Sequence, residues 1–246
     1  MDATNLKTRM NTKVQSLSER EPGTSRYLAL TSNALELIQE NLKHQPLSFQ
    51  LFDVVKSPSG GSTVFSVPGL SGEEAEKELT GIILDYTTPR AYWATSDPVE
   101  GMPPTCLSKD SLISQDGKAC AHCPFNDFGS KDGDSPAKAC KESVLLFLLR
   151  PGSVFPLLVR VPVTSKKIFL KYTTRLVSRL TPLSSVVTKI TLEKATSREG
   201  KPYALFHFDA VQILDQETAA KAREFGKQFM EFVNAADVEP VFTQAS

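Results

Sequence analysis

The chain has 246 residues, with 28 basic and 28 acidic side chains and a hydrophobic fraction of 40%. These are the proportions of an ordinary globular protein with one sizeable core, or a core plus a small satellite. No apolar run reaches the roughly eighteen residues of a membrane-spanning helix, and the opening MDATNLKTRMNTKVQ lacks the apolar stretch of a secretory signal. The expected location is therefore the cytoplasm, a reducing compartment in which cysteines favour metal ligation over disulfides.

In chain order, residues 1–27 read as a polar tail. Leu35, Leu37, Ile38 and Leu42 recur at helical spacing, which predicts a short helix over 32–43. Residues 48–55 (SFQLFDVV) read as a strand with imperfect alternation, and 63–67 as a second strand after the turn SPSGG. The charged stretch 73–79 suggests a helical turn, and 80–86 (TGIILDY) a third strand. From 95 to 139 Pro, Gly, Ser and Asp dominate, and a structureless loop of that length is uncommon in a compact domain. Two apolar runs, 144–149 (VLLFLL) and 155–161 (FPLLVRV), flank Arg150-Pro151-Gly152 and predict a β-hairpin. Thr164 or Ser165 can cap a helix running to about Leu180, with Ile168, Tyr172, Leu176 and Leu180 as its apolar stripe. Strands over 185–193 and 202–214 follow, and 217–233 closes the fold as a helix of strong formers.

That order predicts an α+β, mainly β fold. Its centre is an OB-like five-stranded barrel (28–94 plus 143–215), whose helix precedes the last two strands. Residues 95–142 form a four-cysteine insertion, and 216–246 a C-terminal helix and tail.

All four cysteines fall in that insertion, as C-x13-C-x2-C-x16-C. A Cys-x-x-Cys pair offers two sulfurs across a tight turn, and two distant cysteines complete a tetrahedron. Cys106, Cys120, Cys123 and Cys140 are thus the expected ligands of a structural Zn2+ that would supply the segment's missing core. Asp116-Gly117, Gly129 and Asp132-Gly133 supply turns that let the segment double back. The alternatives are four free thiols, an iron–sulfur cluster, a redox pair at Cys120 and Cys123, or His122 in place of one ligand.

Charge is distributed unevenly. Residues 138–201 hold thirteen basic and only three acidic side chains, so the rest of the chain carries the compensating acidic excess. A basic half of this kind suits a polyanion. On the proposed helix, Lys167, Lys171, Arg175 and Arg179 recur every fourth residue, beside Lys166. Like charges at that spacing repel unless an anion lies near, although a solvated face is the bland alternative. Aromatic residues are interleaved with these cations. Tyr86, Tyr92 and Trp93 surround Arg90, Phe125 and Phe128 follow the Cys-x-x-Cys pair, and Tyr203, Phe206 and Phe208 lie in the last strand. A basic groove with aromatic faces holds single-stranded nucleic acid, at about 1–3 kcal/mol per stacked base. The expected binding residues are Arg90, Tyr92, Trp93, Lys138, Lys141, Arg160, Lys166, Lys167, Lys171, Arg175, Arg179 and Tyr203, with Tyr92, Trp93 and Tyr203 expected to be exposed.

The stretches PRAYW (89–93), PPTCLSKDSLISQDGKACAHCPFNDFGS (103–130), KACKESVLLFLLRPG (138–152) and SVVTKITLEKA (185–195) resemble a group of phage-encoded proteins over about residues 28–233. A more distant similarity is to the single-stranded-DNA-binding, helix-destabilising protein of T-even phages. That protein joins an OB core to a small zinc subdomain ligated by one histidine and three cysteines. The resemblance implies a non-enzymatic protein of phage DNA replication or recombination in the host cytoplasm. Its partners would be single-stranded DNA and replication or recombination proteins. The terminal DVEPVFTQAS, with only Asp237 and Glu239, departs from the acidic partner-recruiting tail common in that class. Two other classes compete: an adaptor or transcription regulator that binds protein, and a metal-dependent nuclease. Against the nuclease, His44, His122 and His207 are scattered, and the basic half holds no Asp…Glu-x-Lys arrangement.

Overall fold

The computed structural model describes residues 26–30, 33–43, 51–55, 57–95, 102–131, 136–197 and 200–235. The architecture is α+β, mainly β, built on a curled, open half-barrel sheet and closed by a C-terminal helix. The strands are β1 (Val54–Val55), β2 (Phe65–Gly69), β3 (Gly72–Glu76), β4 (Glu78–Thr87), β5 (Arg90–Tyr92), β6 (Cys106–Ser108), β7 (Lys141–Leu149), β8 (Leu157–Pro162), β9 (Val186–Thr196) and β10 (Pro202–Ile213). The helices are α1 (Ala34–Asn41), α2 (Val163–Val177) and α3 (Gln216–Ala235). The main sheet runs β1-β8-β7-β4-β9-β10, and β5 attaches to the start of β7 and carries β6. Among the described residues only the β1–β8 pair is parallel; β2 and β3 form a separate hairpin.

The expected hairpin around Arg150-Pro151-Gly152 is β7–β8. Its unbroken apolar run has a simple cause: both faces of β7 are covered. Val144, Leu146 and Leu148 point into one core with Phe65, Phe169, Tyr172, Ile190 and Phe206. Leu145, Phe147 and Leu149 point into the opposite core with Tyr27, Ile38, Phe52, Phe225 and Phe229. So α2 and the β2–β3 hairpin cover one face, and α1 and α3 the other. Where β4 crosses β7 the backbones come close. A Cβ at Gly81 would lie 2.4 Å from the Leu149 carbonyl oxygen, so no larger residue fits there.

The segment that follows β1 packs against the sheet's opposite edge. After β1 on one edge, the chain crosses to β10 on the other. Gly61, at φ 70°, brings it so near that a Cβ would sit 3.1 Å from the Pro202 Cβ. Phe65 then packs its ring edge-on to Phe206, centroids 5.6 Å apart. Each such fully buried ring contributes about 1.5–3 kcal/mol.

Three expectations change. Residues 73–79 are not a helical turn but β3 and the start of β4. Pairing with β2 satisfies their backbone, the Ser66 hydroxyl donates to Glu73, and Arg150 clamps Glu76 through two bonds of 2.9 and 2.8 Å. The 48–55 strand is reduced to Val54–Val55, with 48–50 outside the described residues. Finally, α2 starts directly from β8, so Ser165 lies inside it and does not cap it. Its buried hydroxyl oxygen accepts the Phe206 N–H at 3.0 Å, docking the helix on the edge of β10. The helix ends at Val177, and Leu180 lies beyond it, exposed, with φ 53°. The Leu180 and Thr181 N–H groups bond the carbonyls of Val177 and Leu176, which is a Schellman closure.

Candidate nucleic-acid interface

The four cysteines do not form the expected zinc site. Among the described residues no group of three or more His, Cys, Asp or Glu side chains is arranged to hold a metal ion. All four thiols are free and share a neighbourhood without converging. Burial raises the Cys106 thiol, and the charges of Asp116, Cys123 and Cys120 would raise it further. Burial pushes Cys140 up to about 11, against the pull of the Arg90 guanidinium. The spacing alone does not bring the sulfurs together, and the main chain of three of these cysteines is held by local structure. Cys106 pairs with Tyr92 in β6–β5, Cys120 begins a 3₁₀ turn, and the Cys140 N–H donates to the Phe125 carbonyl at 2.8 Å.

What organises residues 102–131 and 136–140 is polar. The Asp110 carboxylate accepts the N–H groups of Leu112 and Ile113, which holds it below the usual range. The N–H groups of Gln115 and Cys120 donate to the carbonyls of Leu107 and Leu112. The Asn126 amide donates to the Cys120 carbonyl at 3.0 Å, and its oxygen accepts from Arg90 and from Lys138 (3.1 Å). Arg90 also pairs with Glu142 at 3.2 Å, and Glu142 takes Lys166 at the start of α2 through its other oxygen. The side chains of Arg90 and Glu142 are only 13% and 14% exposed. The glycine turn at Asp132-Gly133 lies outside the described residues.

Strand parity sorts the expected binding residues onto two faces. Arg90 is paired with Glu142, so Arg90, Tyr92, Lys166 and the rest of α2 share one face. Ala91 pairs with Lys141 on the other, where Trp93 is only 7% exposed and donates its indole N–H to the Met102 carbonyl at 3.0 Å. The expectation of an exposed Trp93 is therefore corrected: with Ala91 and Leu107 it forms the apolar core that anchors β5 and β6. The Lys141 ammonium sits 6.0 Å from the Trp93 ring. Burial holds Lys141 below its usual range, helped by Lys131 and Arg160 nearby. Arg160, opposite Leu145 in the β7–β8 pair, is itself lowered by burial. Tyr203 is half-buried in β10, beside Gly61.

Lys167, Lys171 and Arg175 are exposed along α2, and Arg179 is exposed two residues beyond its end. Lys171 and Arg175 line a cleft of about 440 Å³ between α2 and the β9–β10 pair. Its far wall carries Glu193, His207 and Asp209, with His207 paired to Glu193 at 2.8 Å. The cleft is therefore of mixed charge, and its cationic side is the helix. Sequence reasoning missed Glu142 and Asn126 as organisers. A signal existed for the first: it is one of only three acids within thirteen bases, which marks a side chain with partners.

No helix among the described residues is long and apolar enough to cross a membrane. Comparison of the chain with family models, with curated proteins and with solved structures finds no match.

Proposed function

We propose that this chain binds single-stranded DNA without reading its sequence, as a non-enzymatic protein of phage DNA replication or recombination in the host cytoplasm. The observation that carries the reading is the exposed row Lys167, Lys171, Arg175 and Arg179 beside an open cleft. Four cations at i, i+4 spacing repel one another, and a phosphate backbone along the helix relieves that repulsion. Lys138 and Lys166 are already engaged by Asn126 and Glu142, so phosphate tracking falls to Lys167, Lys171, Arg175 and Arg179. In this reading the sheet is a modified OB-like barrel. Support comes from the helix preceding the last two strands and from the Phe65–Phe206 contact that ties the β2–β3 hairpin to the edge strand β10.

Fluorescence anisotropy with a labelled oligonucleotide across a salt series tests this. Affinity falls with salt, and each neutralised phosphate contributes about 0.7 to the logarithmic slope for single strands. The Lys171→Gln/Arg175→Gln variant flattens that slope by about 1.4. A slope unaffected by salt, or by these substitutions, rejects the reading.

A further inference from the structure

We infer that Phe125 and Phe128 form a pre-organised stacking platform for unpaired nucleobases, at the N-terminal end of the cationic row on α2. This rests on the proposed single-stranded-DNA binding and names where the bases go. Phe128 is 82% exposed and Phe125 40% exposed, unusual for two phenylalanines three residues apart. Neither ring is loose. Phe125 lies parallel to Tyr92, with centroids 4.0 Å apart and planes 13° from coplanar. Phe128 carries the Lys138 ammonium 4.6 Å from its centroid, and that ammonium is itself held by Asn126 at 3.1 Å.

The backbone beneath is pinned as well. The Phe125 carbonyl accepts the Cys140 N–H at 2.8 Å and the Ser130 hydroxyl at 3.0 Å. Phe128 thus has Lys138 over its ring and is largely exposed, and Phe125 stacks on Tyr92 while remaining 40% exposed. A flat ligand can extend the Tyr92–Phe125 stack or cover Phe128 without ordering anything first, which is the economy of pre-organisation.

Charge decides which flat ligand. A chain of contacts runs from Lys138 through Asn126 and Arg90 to Glu142 and Lys166, where α2 begins. The platform and the start of the cationic row are therefore tied together through one polar hub. Aromatic rings next to a row of cations suit bases joined by phosphates; an apolar protein segment has no use for the cations.

The experiment measures anisotropy with a 20-nucleotide oligothymidylate and with an abasic strand of the same length, which keeps the phosphates and lacks the bases. Wild type binds the oligothymidylate more tightly than the abasic strand. Phe128→Ala lowers oligothymidylate affinity about 5- to 150-fold, leaves abasic affinity and the salt slope unchanged, and Phe128→Trp restores binding. Since Phe128 is exposed, a thermal melt of Phe128→Ala matches wild type. Salt-dependent binding by wild type that is indifferent to Phe128→Ala overturns the platform and leaves the proposed function standing. Binding of neither strand by wild type overturns both.

Discussion

The central strands and the cysteine-bearing segment are held by opposite physics. β4, β7 and β8 bury apolar side chains on both faces, and Val144, Leu146, Phe147, Leu148 and Leu149 are fully enclosed. Their stability scales with area and tolerates imprecise geometry. The described part of the cysteine-bearing segment, 102–131 and 136–140, buries little: its apolar cluster is Leu107 with Ala91 and Trp93, and Met102 beside it. Its shape rests on directional bonds to Asp110, Asn126, Arg90 and Glu142, which fail when one partner is removed. The first region supplies a rigid base, and the second can hold exposed rings in place because its polar hub is tied to that base through Glu142.

The largest expected effect falls on the first region. Phe147→Ala removes a ring enclosed by Phe52 and Phe229 and costs about 3–5 kcal/mol, measured by urea unfolding. Glu142→Gln sharpens the contrast. It leaves Arg90 and Lys166 short of their shared partner and costs about 2–3 kcal/mol, less than a fully buried pair would. Hydrogen exchange should then show lost protection at the Cys120 and Cys140 amides while β4 and β7 keep theirs. Equal loss in both regions would mean that the two unfold as one.

The third test concerns Cys140, whose thiol burial pushes up to about 11. The unfolded chain ionises its cysteines near pH 8.5, so above that pH it releases a proton that the folded chain keeps. Stability is therefore full below about pH 8.5 and declines as pH rises towards 11. At pH 8 the folded Cys140 should alkylate about a hundredfold more slowly than in urea, because the thiolate is the reactive form. Equal rates would place that thiol in solvent.

The smallest effect is a gain. Leu180 closes α2 in the left-handed region, where a side chain costs about 1 kcal/mol, and it makes no buried contact. Leu180→Gly should stabilise the protein by about 0.5–1 kcal/mol in the same urea assay. A loss would mean that the leucine packs on something.

Much of the element order was legible in the sequence. The hairpin, the long strands after α2 and the terminal helix stand out because apolar runs and strong helix formers are local properties. The cationic row was legible for the same reason, since i, i+4 spacing on one helix needs no tertiary information. The acidic stretch 73–79 was not. It pairs as a strand because β2 lies beside it, and charge pattern alone cannot report a neighbour.

By itself, then, the sequence determined the β-rich class, the β7–β8 hairpin, and the cationic row beginning on α2, each set by residues near one another in the chain. Tertiary structure alone decided that Trp93 faces inward, that Phe128 faces outward, and that the cysteines serve turns and strands. Those outcomes depend on which face of β5 meets β7 and on where Glu142 meets Arg90 and Lys166. Pairing parity assigns a side chain to a face, and parity is settled between strands that lie far apart in the chain.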